Sequence, residues 1–304
     1  MKNYHLKYRP KTLEEVRGNS DLITTLQAML TDKEKFPHSI LLHGNTGCGK
    51  TSLARIIADE LGCVGSDYRE VNSSNFNGVD DIREIIQNSM FKPLESPVRV
   101  WVLDEVQKAS SSAFNALLKI LEEPPAHIYF ILATTELQKI PAAIKNRCSP
   151  FQVKTLKDKE MFGLLRMVVR EENETLDTNI YDQIIQDSLG QPRNALQILE
   201  QVLSVPTDKR LEIAKQAAEQ QSEIIELCRA LVQNSSWSTV KSILTNLKGT
   251  DAESIRRVVL GYCQAILLKG ESDRAALIME IFHSPMYDIG FPGITYNCYS
   301  IINN

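Results

Sequence analysis

In the first half of the chain, apolar residues form two kinds of pattern. Ile40–Leu42, Val98–Leu103 and Ile128–Ala133 are nearly unbroken runs, apolar on both faces of an extended chain, as strands inside a parallel sheet must be. Between them, apolar residues recur at three- and four-residue spacing, each set making one helical face. The sets are Leu22, Ile23, Leu26 and Leu30; Leu53, Ile56, Ile57 and Leu61; Ile82, Ile85 and Ile86; and Phe114, Leu117, Leu118 and Leu121. They predict helices from Ser20 or Asp21 to Leu30, over Thr51–Leu61, from Asp80 or Asp81 onward, and from the capping serines at Ser110 to the stop at Pro124-Pro125. Tyr68–Asn72 reads as a short strand, Ser73 to Gly78 as turn-rich, and Pro141–Arg147 as one or two helical turns.

After Phe151 strand signals fade. Asp158–Glu171, Asp177–Leu189 and Arg193–Val202 read as helices, and Pro206-Thr207-Asp208 marks a second boundary. Helical spacing continues from Lys209 to about Phe282. The tail from Ser284, rich in Gly, Pro and Tyr, gives no clear pattern, and no repeat or low-complexity segment is present. The order implies an α/β domain over 1–155, a small helical segment over 156–205 and an all-helical region over 206–304.

The first apolar run ends in Gly44-Asn-Thr-Gly47-Cys48-Gly49-Lys50-Thr51-Ser52 and passes directly into a helix, so a P-loop stands where strand gives way to helix. Its glycines let successive N–H groups turn toward phosphate oxygens, and the helix start adds a positive end. Gly47, Cys48, Gly49, Lys50, Thr51 and Ser52 form the expected phosphate cradle. Lys50 reaches the β- and γ-phosphates, and Thr51 is the expected Mg²⁺ ligand. The second run ends in Asp104-Glu105. There Asp104 would hold Mg²⁺ and Glu105 would activate the attacking water. Thr135 ends the third run and would lie beside these carboxylates if the strands are neighbours.

Several basic residues read two ways. Arg83 begins a helix, as a solvated side chain or a phosphate contact. Arg147 follows a short helix, a placement the macrodipole favours by itself. Gly190-Gln-Pro192-Arg193 puts a cation at a helix start, where it is disfavoured by about 0.3–1 kcal/mol unless a negative ligand offsets the cost. Upstream, Lys7-Tyr8-Arg9-Pro10 is either a lead-in packed on the core or part of an adenine site.

Composition narrows the class without choosing a function. The chain has 304 residues, 43% hydrophobic and 24% charged, enough for two or three domains of a soluble globular protein. No run approaches the roughly 20 apolar residues of a membrane span. Met1-Lys-Asn-Tyr-His5 lacks a signal-peptide core, and six cysteines without a C-x-x-C pair suggest neither zinc nor disulfides. A reduced cytoplasmic setting is expected. At a net charge of −4, any DNA contact must come from a local basic arrangement.

Taken together, residues 4 to about 203 resemble the sliding-clamp loader ATPases of the AAA+ family. Leu103-Asp104-Glu105-Val106, Phe114-Asn-Ala-Leu-Leu-Lys119 and Leu121-Glu-Glu-Pro-Pro125 are especially similar to the bacterial tau/gamma type. The resemblance implies an AAA+ domain, a helical lid and a collar. It makes Lys7, Tyr8, Arg9 and Pro10 with Val16, Arg17 and Gly18 the adenine-contacting start, and Thr135 sensor 1. Asn146-Arg147-Cys148 is similar to the Ser-Arg-Cys loader motif, with Arg147 an arginine finger for a neighbouring subunit, and Arg193 lies in sensor 2. The zinc cysteine cluster of the tau/gamma type is missing, which brings the chain closer to replication factor C small subunits or phage loaders.

The implied cofactors are ATP and Mg²⁺. The implied partners are other loader subunits in a hetero- or homo-oligomeric ring, a pentamer, with a sliding clamp and primer–template DNA and no membrane. Arg83 and Lys108 are the expected DNA contacts. Two other readings stand beside this one. One is an AAA+ helicase loader or branch-migration motor, which would form a closed hexamer. The other is a non-hydrolysing loader subunit, which the presence of Lys50, Asp104, Glu105, Arg147 and Arg193 argues against.

Overall fold

The structure, a computed structural model, describes residues 3–72, 79–214, 223–286 and 289–303. The predicted turn at 73–78 lies outside the described residues. The chain divides into two compact units. One comprises His5–Glu160 with Gln191–Arg193; the other comprises Met161–Gly190 and Asn194–Asn304 with Met1–Tyr4.

The first unit is built on a five-stranded sheet of order β2-β3-β4-β1-β5, with β1 Ser39–His43, β2 Tyr68–Asn72, β3 Arg99–Asp104, β4 Ile128–Thr134 and β5 Ser149–Gln152. All pairings are parallel, with Leu103 opposite Leu132 and Leu42 opposite Ala133. The apolar runs are apolar on both faces because both faces are covered. Ile40, Leu42, Val100, Val102 and Ile131 pack with helices α2 (Ser20–Leu30) and α3 (Lys50–Glu60), which follow the short α1 (Tyr4–Lys7). Leu41, Trp101, Leu103, Phe130 and Leu132 pack with α4 (Val79–Ser89) and α5 (Ser111–Glu122). Ser110 caps α5 by accepting from the Ala113 N–H at 3.2 Å, as its sequence position predicts. The next helix, α6 (Ala142–Lys145), is short.

β5 is not evident in the sequence. Its Ser-Pro-Phe-Gln has no apolar run, and as an edge strand it needs none; Pro150 is tolerated there because, among the described residues, one side has no strand to bond.

The second unit holds most of α7 (Asp158–Glu171) and of α9 (Pro192–Leu203), together with α8 (Thr178–Ser188), α10 (Glu223–Val232), α11 (Trp237–Asn246), α12 (Ala252–Leu267), α13 (Asp273–Ile281) and α14 (Phe291–Ile302). It has no strand among its described residues. α14 occupies the tail that carried no readable pattern. Its Pro292 sits in the first turn, where a missing N–H costs nothing, and Ile294, Cys298 and Ile301 are buried at helical spacing. The architecture is thus the expected one, a helix-flanked parallel sheet with a P-loop-like core followed by an all-helical region. Among the described residues no helix is long and apolar enough to cross a membrane, and all six cysteines are buried free thiols.

Candidate active site

The strand order decides what can meet. β4 lies between β1 and β3, so the loop after β1, the carboxylates after β3 and the hydroxyls after β4 share the carboxyl edge of the sheet. Ligands bind at that edge in open α/β sheets. Two glycines shape the loop. Gly44 has φ +154°, and a Cβ there would fall 2.0 Å from the Val153 carbonyl oxygen. Gly49 holds φ +102° at the N-cap of α3. The buried Lys50 folds back so that Nζ donates to the carbonyls of Gly44 and Asn45, 2.9 Å each. Its charge is therefore satisfied by the loop and held over it.

Across the edge, Thr51 Oγ1 donates to Asp104 Oδ2 at 2.8 Å, and the Glu105 N–H donates to Asp104 Oδ1 at 2.9 Å. Glu105 itself has φ +53°, a left-handed backbone that costs a non-glycine residue about 1–2 kcal/mol. Thr135 Oγ1 donates to Glu105 Oε2 at 3.2 Å, so the threonine does lie beside the carboxylates. Gln107 bridges them: Nε2 donates to Glu105 Oε2 and, at 2.9 Å, to Thr135 Oγ1, while Oε1 accepts from Thr134 Oγ1 at 2.8 Å. The Thr51 and Asp104 oxygens fit a magnesium ion, which takes one or two protein oxygens and completes its octahedron with water and phosphate.

Cations gather around the loop. Burial and the nearby Arg55 charge hold the Arg9 guanidinium below its ordinary pKa; Arg193 adds to this and Glu70 opposes it. Arg55 is paired with Glu70 at 2.6 Å, and Tyr68 donates to the same carboxylate at 2.9 Å. A Cβ on Gly47 would lie 3.5 Å from Arg193 Cβ, which places the start of α9 against the phosphate loop within the first unit. Arg193 and Lys50 also act electrostatically on Cys48, whose thiol burial pushes up. With four cations, Arg9, Arg55, Arg193 and Lys50, against Glu70 and the Asp104 carboxylate on Thr51, this region suits a polyanion.

The remaining expected residues are spread out. Lys7 Nζ lies 4.9 Å from the Tyr8 ring centroid, Tyr8 and Pro10 are half-buried, Val16 packs on the core and Arg17 is exposed. Ser52 is half-buried in the first turn of α3. Arg147 is not gathered into the pocket: it pairs with Glu122 at 2.7 Å and donates to the Ala143 carbonyl at 3.0 Å. Arg83 pairs with Asp80 at 2.8 Å on the surface, and Lys108 is exposed. Sequence reasoning missed Arg55, Glu70, Gln107 and Glu122. Gln107 alone had a signal, a polar residue two places after the acidic pair.

Comparison with known proteins adds relatives. Residues 65–157 match the family model described as DNA polymerase III, delta subunit. The chain is 35% identical over 225 residues to the DNA polymerase III subunit gamma/tau of Mycobacterium bovis and 36% over 222 residues to the subunit tau of Bacillus subtilis; each match covers 66% of this chain. The chain spans 39% of the length of those two relatives. With the subunit gamma of Buchnera aphidicola from Schizaphis graminum it shares 28% identity, covering 95% of this chain and 96% of that one. Among solved structures it is similar to the Thermotoga maritima RuvB Holliday junction branch migration motor, with a TM-score of 0.61 and 19% identity over 88% of this chain and 87% of that chain, a likeness of fold. These matches make the chain similar in sequence to DNA polymerase III gamma/tau-type subunits over about two thirds of its own length, and similar in fold alone to the RuvB motor.

Proposed function

We propose that this chain is a motor subunit of a DNA polymerase sliding-clamp loader, in which ATP binding drives assembly on clamp and primer–template DNA and hydrolysis releases the loaded clamp. On this reading residues 1–155 are the ATPase domain, 156–205 a lid carrying Arg193, and 206–304 a collar through which subunits assemble. Arg9 and the Lys7–Pro10 and Val16–Arg17 segments take the adenine end of the nucleotide. The loop from Gly47 to Ser52, with Lys50, takes its phosphates. Thr51 and Asp104 would hold Mg²⁺, which neutralises charge developing on the phosphates when bound. Glu105 accepts a proton from the attacking water, and Thr135 reports on the γ-phosphate.

The observation that carries the reading is the division of the pocket. Loop, carboxylates and Thr135 are gathered at one sheet edge, while Arg147 is held by Glu122 on its own chain. A neighbour's Arg147 would complete the site, so that hydrolysis requires an interface. Identity to gamma/tau subunits over two thirds of the chain supports a loader over other motors.

The test is ATP hydrolysis by the native assembly, with primer–template DNA and a sliding clamp added separately and together. Strong stimulation by both, in a pentamer by native mass measurement, is the expected result. The fold likeness to RuvB favours a second reading, a branch-migration or helicase-loading motor. A closed hexamer indifferent to the clamp would establish it instead.

A further inference from the structure

Gln107 lies two residues beyond Glu105, on a short turn, Val106–Lys108, anchored by the fully buried Val106. Both ends of its amide are engaged. Thr134 is fully buried; its Oγ1 accepts from the Glu136 N–H at 3.0 Å and donates to Gln107 Oε1 at 2.8 Å. Glu105 fixes which end of the amide is which: a carboxylate only accepts, so the NH₂ faces Glu105 and the amide oxygen is left to the Thr134 hydroxyl. Gln107 Nε2 then donates to Glu105 Oε2 and to Thr135 Oγ1, and Thr135 passes its hydrogen to the same Glu105 oxygen. Two donors thus hold Oε2, and Oε1 is the oxygen left to take a proton from water.

We propose that Gln107 is a positioning residue for hydrolysis: it seats the Glu105 carboxylate and couples it to Thr135. This inference rests on the function proposed above. It assigns Gln107 no contact with nucleotide, because its amide is committed to the other three side chains. Removing it should therefore slow the chemical step without weakening binding. A positioned acid or base contributes about 10²–10⁴-fold, and small misplacements of reacting groups cost about 10²-fold.

Three variants in the native assembly test this. Gln107→Glu sets a carboxylate against Glu105 and should lower kcat about 100-fold. Gln107→Met removes donor and acceptor without adding charge, and its loss should be smaller. Thr134→Val loosens the clasp from its buried end and should lose least, and it keeps the inference open to test should the first variant fail to fold. In all three, KM for ATP and the affinity for a fluorescent ATP analogue, read by titration, should stay within about twofold of wild type. A folded Gln107→Glu with wild-type kcat overturns the inference, as does a parallel loss of nucleotide affinity and rate. A wild-type assembly with no Mg²⁺-dependent hydrolysis overturns the proposed function and this inference with it. Wild-type hydrolysis with unmoved variants overturns this inference alone.

Discussion

Two charged clusters in the first unit are built from similar residues and balanced in opposite ways. At Asp67 the carboxylate is fully buried and accepts from the backbone N–H groups of Leu94, Glu95 and Ser96, from the Ser96 hydroxyl and from Arg99. Burial alone would raise its pKa, but the Glu95 and Leu94 N–H groups and Arg99 overcome that and hold it far below the usual carboxylate range. Arg99 in turn donates to the carbonyls of Asn88, Phe91 and Lys92, so the pair pins the segment between α4 and β3. Around the phosphate loop, by contrast, the four cations Arg9, Arg55, Arg193 and Lys50 meet two acids, Glu70 on Arg55 and Asp104 on Thr51. A cluster that balances its charges internally stabilises the fold. A cluster with surplus charge of one sign gives up stability for a ligand that restores the balance.

Arg147 is the sharpest way to break this contrast, because its charge is answered by Glu122 yet the proposed role needs it elsewhere. In the native assembly Arg147→Ala should lower the ATPase rate at least about 10³-fold, as loss of an arginine finger does in other NTPases. Nucleotide binding by the isolated chain should not change. An unaltered rate would make Arg147 a helix-end residue and no more.

The clusters themselves separate in a second experiment. Asp67→Ala leaves the buried Arg99 without its acid and should cost about 3–5 kcal/mol of stability in denaturant titration. Lys50→Ala should leave stability near wild type and lower hydrolysis by about 10²-fold or more. Equal stability losses for the two would mean that both clusters are structural.

The same distinction governs what the sequence made legible. Lys50, Thr51, Asp104 and Glu105 stood out as candidates because phosphate chemistry requires those residue types at a strand-to-helix turn and a strand end. Their strands were readable because burial on both faces leaves unbroken apolar runs. Asp67 and Arg99 carried no such mark: a carboxylate satisfied by N–H groups of Leu94, Glu95 and Ser96 depends on a backbone path that no spacing encodes. Gln107, though it follows the acidic pair, could not be given a role for a related reason. Its role requires β4 beside β3, which the strand order supplies and the linear pattern does not. α14 was missed because Pro, Gly and Tyr dilute its helical spacing, although Ile294, Cys298 and Ile301 keep it.

A third test extends the comparison to the second unit. Buried Glu253 accepts from Arg256 at 2.7 Å and from the Met286 N–H at 3.1 Å. The Arg256 hydrogen bonds, with the Met286 N–H and Arg257, outweigh burial and bring its pKa down to about 2. A carboxylate with a lowered folded pKa contributes stability that is present above its unfolded value, about 4.3, and lost as pH falls toward 2. Glu253→Gln should therefore be less stable than wild type at pH 7 in urea titration, with the gap narrowing below about pH 4. A gap constant with pH would mean that packing, rather than charge, accounts for the loss.

The smallest expected effect concerns Arg83, a cation that is neither buried nor in surplus. It pairs with Asp80 three residues earlier on α4, and both side chains are largely exposed, 63% and 87%. Such a pair adds little to stability, so Arg83→Ala should leave the unfolding temperature unchanged. If Arg83 exchanges Asp80 for a DNA phosphate, its loss removes about one released counterion, and the slope of log affinity against log salt falls by about 0.9. Asp80→Asn should move affinity the other way, because the competing acid is gone while the arginine remains. The two substitutions must act in opposite directions on DNA binding for Arg83 to be a phosphate contact. Unaltered salt slopes in both would leave it a solvated arginine paired with its neighbour on the helix.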